Sequence, residues 1–345
     1  MIETILRERN PSSVLPGNQY LAVGSSVSPF IAIYKRNGDT YTKLTTPASV
    51  PAYSVTGVAW NGSTHLILAH GGYPYVTVYK RTGDTFTKLS DFTTNEGYAD
   101  TGKVRVDDTG GYMAFNYSLT PYVKTCTISG DTFAMCAAPA VPPATGNAGA
   151  TNVQFNLNSG SGDWFALTAR SSLNVYTMAN PPVKVTTSFT GQGVLSLRAG
   201  LFCSNDDSTL VYGTGSSINI YQILSGPSFT PMPSPYTAIS LGATCNAAAR
   251  EDYYGIFLAL GVTATPFLRV YDIYGWFTYT VATTPPGSVV DVAMTSEPNT
   301  QIACAHAASP FITIYKLIGE TFSKLADPAS LPPGAANCVA FSATF

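Results

Sequence analysis

The run SPFIAIYKRNGDTYTKL at residues 28–44 decides the architecture, because it returns as YPYVTVYKRTGDTFTKL at 73–89 and as SPFITIYKLIGETFSKL at 309–325. Weaker copies lie between them: TPYVKTCTISGDTFAM (120–135), SSLNVYTM (171–178), SSINIYQI (216–223) and TPFLRVYDIYGWFTY (265–279). Aligned on one column, the units carry Tyr34, Tyr79, Cys126, Tyr176, Tyr221, Tyr271 and Tyr315, at steps of 45, 47, 50, 45, 50 and 44 residues. Self-similarity at such a period marks an array of one supersecondary unit whose apolar faces are buried only by its neighbours.

Each unit reads as a run of short strands. In the second, GVAW (57–60) meets a turn at Asn61-Gly62, then come HLILA (65–69), YVTVYK (75–80), the turn Thr82-Gly83-Asp84 and TFTKL (85–89). Val, Ile, Tyr, Phe and Thr in alternation, split by Asn-Gly or Gly-Asp, is hairpin chemistry. Gly38, Gly83, Gly130 and Gly319 fall at a turn position suited to positive φ, where a Cβ would clash. Sustained helical periodicity is absent. Four antiparallel strands per repeat match a propeller blade better than a sandwich, so the expected fold is all-β: a seven-bladed β-propeller over residues 18–345.

The chain ends indicate how such a ring closes. The first unit opens on YLAVG (20–24), which matches the second strand of other units, so its innermost strand is missing. After the last unit comes NCVAFS (337–342), parallel to VTGVAWN (55–61). The expectation is a clasp: the C-terminal strand completes the first blade and removes two exposed sheet edges.

Charge and composition narrow the function. Lys plus Arg number 18 against 20 Asp plus Glu, only 11% of residues are charged, and 45% are hydrophobic. Without a basic excess the chain is not expected to bind nucleic acid. No apolar run reaches the ~20 residues needed to cross a bilayer as a helix, so no membrane insertion is expected. The first residues, MIETILRERN, lack the basic-then-apolar order of a secretory signal. Six cysteines stand without a CxxC pair, and read as reduced apolar fillers, with Cys126 and Cys136 the one pair close enough in sequence to meet across a hairpin.

Long connections between successive units (45–54, 90–101, 137–149, 231–241 and 327–334) share one face of the disc with the loops joining second to third strands. Loops on a rigid scaffold are the usual seat of binding. The candidate contact residues are therefore the loop aromatics Tyr53, Tyr73, Phe92, Tyr98 and Tyr236. Residues 1–17 stand outside the repeats, with Ile2, Ile5 and Leu6 at helical spacing before Pro11 and Pro16, and read either as a frayed end or as a docking arm. Lys35-Arg36 and Lys80-Arg81 beside the tight hairpins read as solvated strand ends.

Catalysis needs convergent polar groups, and the pattern disperses them. His70 and His306 share one column in separate units, with no third ligand for a metal. Asp39, Asp84 and Asp131 follow turn glycines one per unit, which spreads them around the ring instead of pairing them for acid–base work. Predicted inner strands such as GVAW, VQF, VAM and CVAF are mostly apolar. Sialidase-type S-x-D-x-G-x-T-W turns, G-x-S-x-G, a Walker loop, HExxH and the Trp-Asp dipeptide of standard WD repeats are all missing. No catalytic, metal or cofactor residues are assigned, and the chain is expected not to be an enzyme.

The run ADPASLPPGAANCVAFS (326–342), joined to QYLAVGSSVSPFIAIYKRNGDTYTKL (19–44), resembles the repeat of WD-like β-propeller proteins of tailed bacteriophages and prophages. The likeness is close in the first, second and seventh units, partial in the third and sixth, and thin in the fourth and fifth. It implies a non-enzymatic virion component of tail or capsid, made in the host cytoplasm, whose partners are other virion subunits. Two further readings stay open: a lectin-like propeller that stacks host-surface glycans on loop aromatics, and a lactonase-type enzyme. The first loses weight because Trp60 and Trp164 look strand-borne and core-facing; the second because its channel would need His, Arg and carboxylates.

Overall fold

The structure, a computed structural model, describes residues 20–91, 103–107, 109–116, 120–142, 150–155, 164–169, 172–185, 200–203, 209–214, 217–223, 229–231, 238–250, 257–272, 277–295 and 300–342. All the regular elements among them are strands, paired antiparallel within four-stranded units.

The second unit shows the plan: Val55–Asn61, His65–His70, Val76–Thr82 and Thr85–Lys88 pair in chain order. The next three units repeat it over 104–135, 150–185 and 200–231, the last gaining a short strand, Ala238–Ser240, against Ser217–Asn219. That strand occupies a segment expected to be connecting loop. The two units at 245–281 and 289–324 also differ from expectation. Their outer strands pair in parallel (Thr280 with Thr321, Val281 with Phe322), merging both into one eight-stranded sheet. An outermost strand has an unpaired edge, and two such edges that converge can satisfy each other.

The first unit takes its innermost strand from the C-terminus. Ala336–Phe341 pairs antiparallel with Tyr20–Ser25, Leu21 opposite Phe341 and Val23 opposite Val339. Around it, Ser342 N–H donates to the Tyr20 carbonyl at 2.9 Å and the Tyr20 N–H to Ser342 Oγ at 3.2 Å. The inserted strand serves two cores. Cys338 packs with Ala22, Ile31 and Val55 toward the second unit. Val339 and Phe341 pack with Leu21, Ala303 and Ile314 toward the last unit. Such alternation follows from the period of two along a strand.

Repeat columns hold neighbouring units together. Tyr34, Tyr79, Tyr176 and Tyr315 are fully buried. Their hydroxyls donate to carbonyls of the connection entering the same unit: Ser330, Ser49, Val141 and Thr283, at 2.8–3.1 Å. A long loop is thereby pinned by one side chain, and burial raises each of these phenols above the usual tyrosine range. Asn337 and Asn246 do the same between innermost strands, donating to the Val55 and Val289 carbonyls at 3.0 Å each.

Candidate interaction surface

The two ends of the four-stranded units have different chemistry. On the hairpin face, Gly38, Gly83, Gly130 and Gly319 take φ of 58–61°, as their turns require. The aspartates after three of these glycines reach the preceding unit. Asp84 accepts from Lys35 at 2.8 Å and from the Tyr20 hydroxyl at 2.7 Å. Asp131 faces Lys80 at 2.6 Å and His65 Nε2 at 2.9 Å, and Asp39 faces Lys316 at 2.9 Å and Gln301 Nε2 at 3.2 Å. The partners hold the Asp84 and Asp131 carboxyls below the usual carboxylate range, Lys35 and Lys80 being the leading causes. Arg81 lies over the Tyr20 ring, 4.7 Å from its centroid. Lys35, Lys80 and Arg81, read from sequence as solvated strand ends, are thus inter-unit ties, the two lysine pairs weak because half-exposed, whereas Arg36 donates to the Gly38 carbonyl of its own hairpin.

The interior is less apolar than the sequence suggested. Lys103, just before Val104–Val106, forms an ion pair of 3.0 Å with Asp291 on Val289–Met294, their side chains 15% and 5% exposed. Asp291 also accepts the Val339 N–H at 3.0 Å, so one carboxylate ties the third unit, the last unit and the C-terminal strand. Arg105 donates to the Val58 and Val104 carbonyls. A single Asp in VVDVAM gave no sign in the sequence, because its partner lies far along the chain. No group of three or more His, Cys, Asp or Glu suited to a metal occurs among the described residues.

The histidine column is structural. His70 Nε2 lies 2.9 Å from Thr77 Oγ1, and His306 Nε2 lies 2.8 Å from Thr313 Oγ1. Burial pushes His70 down to about 4 and lowers His306 as well. Cys126, Cys136, Cys245, Cys304 and Cys338 are free thiols, and burial pushes Cys126, Cys245 and Cys338 up to about 12.

On the loop face the second-to-third strand connections share one turn. Phe30 N–H donates to the Val27 carbonyl, Tyr75 to Gly72 and Phe311 to Ala308, at 2.6–2.8 Å. The aromatic closing each turn has φ of 66–71°, uncommon for a bulky residue and not evident from the sequence. Among the described residues, five of the eight exposed large apolar residues (Val27, Val50, Tyr53, Tyr73 and Val141) belong to this face, so it is the better candidate for contact. Val183, Phe277 and Ile318 lie on the hairpin side.

Of the residues chosen from sequence, Tyr53 and Tyr73 are 53% and 65% exposed, and both belong to the loop end of the second unit. A Cβ on Gly72 would lie 1.9 Å from the Tyr53 ring, so that ring covers the backbone beside Tyr73. Tyr73 in turn meets Tyr75 edge-on, with centroids 6.4 Å apart. Tyr75 was not singled out from sequence. Ile2, Ile5, Leu6, Phe92, Tyr98 and Tyr236 lie outside the described residues, as do residues 1–17. Trp60 is buried, its indole N–H donating to the Ala340 carbonyl at 3.1 Å, in line with the core-facing expectation.

Comparison with solved structures bears on this arrangement. A protein of Lactobacillus plantarum aligns with TM-score 0.66 at 15% identity, covering 93% of this chain and 98% of the other. The Cps50 (Swd1) β-propeller domain of Myceliophteria thermophila aligns with TM-score 0.56 at 12% identity, over 87% and 94%. The fold is a β-propeller. A proposed 6-phosphogluconolactonase of Bacteroides fragilis also aligns on this propeller, with TM-score 0.67 at 8% identity over 95% and 98%. At such identities the likeness is one of fold. A scan against protein-family models gives no match, nor does a search of curated proteins.

Proposed function

We propose that the sheets close into a seven-bladed ring that serves as a non-enzymatic docking disc, a structural or accessory component of a virion tail or capsid. Support for the ring comes from the innermost strands, which contact one another in sequence. Ala336–Phe341 lies beside Val55–Asn61, followed by Val104–Val106, Ala150–Phe155, Gly200–Cys203, Cys245–Arg250 and Val289–Met294, which returns to Ala336–Phe341. The eight-stranded sheet is then two blades joined at their rims.

One observation carries the docking role: among the described residues, the tyrosines, lysines, histidines and Asp291 described above are engaged in contacts within and between the units. Tyrosine hydroxyls bind linkers, lysines bind the next hairpin's aspartate, buried histidines bind threonines, and Asp291 binds Lys103 and a backbone N–H. Among the described residues the loop face exposes Val27, Val50, Tyr53, Tyr73 and Val141 beside small polar residues such as Ser26, Thr45 and Ser49, a mixture that suits contact with another surface. The virion assignment rests on the repeat resemblance, and host-cytoplasm synthesis follows from it.

Quantitative mass spectrometry of purified particles from a host carrying the gene tests this reading. A fixed copy number per particle is expected; absence from particles overturns the virion role. A lactonase assay on the purified protein tests the non-enzymatic part, and turnover lost on Asp291→Ala or Arg105→Ala while the fold persists would overturn it.

A further inference from the structure

We infer that Tyr53 and Tyr73 form a stacking site for a neutral pyranose sugar, a role that rests on the loop face pointing outward. The repeat itself shows that folding does not require these rings. The position of Tyr53 is held by Gly334 and Gly287 in the corresponding connections, and that of Tyr73 by Ser28 and Ser309. The packing is the same contact with sizes exchanged. Val27 fills the space beside Gly334 and Ala308 that beside Gly287, whereas at the second unit Gly72 leaves the space and Tyr53 fills it from the other side. Two exposed aromatics therefore replace a glycine and a serine at adjoining positions of one unit.

Both rings are held in place before any ligand arrives. Tyr53 lies across the Gly72 backbone, and Tyr73 sits at the corner of the closed turn 72–75, braced by Tyr75. Ordered aromatics lose little conformational entropy on binding. Their faces offer apolar surface to the C–H face of a sugar ring, and their hydroxyls offer hydrogen bonds. The ligand should be uncharged, because residues 45–54 and 71–75 contain no Asp, Glu, Lys or Arg. The charges that act on His70 beneath the turn, Lys88 and Asp91, are paired with each other at 2.8 Å. Two rings in one unit fall short of the roughly 20–30 residues per side of a stable protein interface, which favours a saccharide over a protein.

The test is saturation-transfer NMR and titration of the full chain with neutral oligomers of glucose, galactose and N-acetylglucosamine. Tyr53→Gly and Tyr73→Ser, the residues the repeat uses elsewhere, should each weaken binding roughly tenfold or more while leaving the melting temperature in place. Gly72→Ala, which keeps both tyrosines but displaces the Tyr53 ring, should do the same. Absence of binding by the unaltered protein, binding indifferent to all three substitutions, or a patch that instead takes a proline-rich peptide would each overturn the inference. Particle association of Tyr73→Ser separates the two claims: particles that retain the variant without glycan binding leave the docking role intact. Glycan binding by a chain absent from particles leaves only the sugar site.

Discussion

Deleting residues 335–345 removes the strand that completes the first unit, and the structure allows the loss to be sized. Val339 and Phe341 are buried, and each large apolar side chain returned to water costs about 1.5–3 kcal/mol, so this pair accounts for roughly 3–6 kcal/mol. Cys338, the bond from the Trp60 indole to Ala340, and the bonds of Tyr20 with Ser342 are lost as well, and Asp291 is left without the Val339 N–H. Leu21 and Val23 would then face water along an open edge. Against a typical total of about 5–15 kcal/mol, the truncated chain should have little or no stable fold. Thermal unfolding followed by near-ultraviolet circular dichroism, with size-exclusion chromatography, reads this directly: the full chain should melt cooperatively and the truncated one aggregate or lose its near-ultraviolet signal. Adding a peptide of residues 335–345 should restore part of that signal. A truncated protein that stays monomeric and melts within a degree or two of the full chain would refute the clasp.

Other perturbations follow from single contacts. Gly24→Ala puts a Cβ 2.4 Å from Cys338 Sγ and 2.6 Å from Val55 Cγ1, and should cost about 1–3 kcal/mol in urea unfolding; an unchanged midpoint would mean the junction is looser than described. Asp291→Ala leaves the largely buried Lys103 without its partner and should cost about 3–5 kcal/mol, more than Asp291→Ala and Lys103→Met combined in one chain; the reverse ranking in denaturant titrations would contradict the pairing. Tyr79→Phe removes one bond to the Ser49 carbonyl and should cost about 1 kcal/mol while speeding proteolysis in the 45–54 connection; equal cleavage rates would count against linker pinning. Burial holds His70 neutral with a folded pKa of about 4 against an ordinary 6.5, so the unfolded chain takes up its proton first as pH falls. Its contribution is complete above pH 7 and declines between about 6.5 and 4, by at most roughly 3 kcal/mol, with His306 acting in the same direction. Comparing the pH dependence of urea midpoints for the native chain and His70→Gln checks this, the variant's dependence being expected to be shallower.

Much of the local plan was legible because it repeats. Three near-identical runs at 28–44, 73–89 and 309–325 announced strand, turn and strand, and the turn glycines carry the positive φ that a Gly-Asp hairpin calls for. The orphan strand at 337–342 could be matched to YLAVG because the second unit supplied a template. Tyr53 and Tyr73 could be chosen as loop aromatics, but nothing in their spacing put Tyr53 against the backbone that precedes Tyr73. That contact depends on Gly72, whose missing side chain matters only once the two loops are adjacent.

By itself, then, the sequence determined the strands, their turns and the C-terminal completion of the first unit, since these depend on alternation and on the residues a tight turn tolerates. Only the tertiary structure decided what the repeated polar residues do. Lys35 reaches Asp84, Tyr20 the same carboxylate, and Lys103 finds Asp291, because an ion pair or hydrogen bond requires proximity and the partners are brought close by packing between units, not by nearness in the chain.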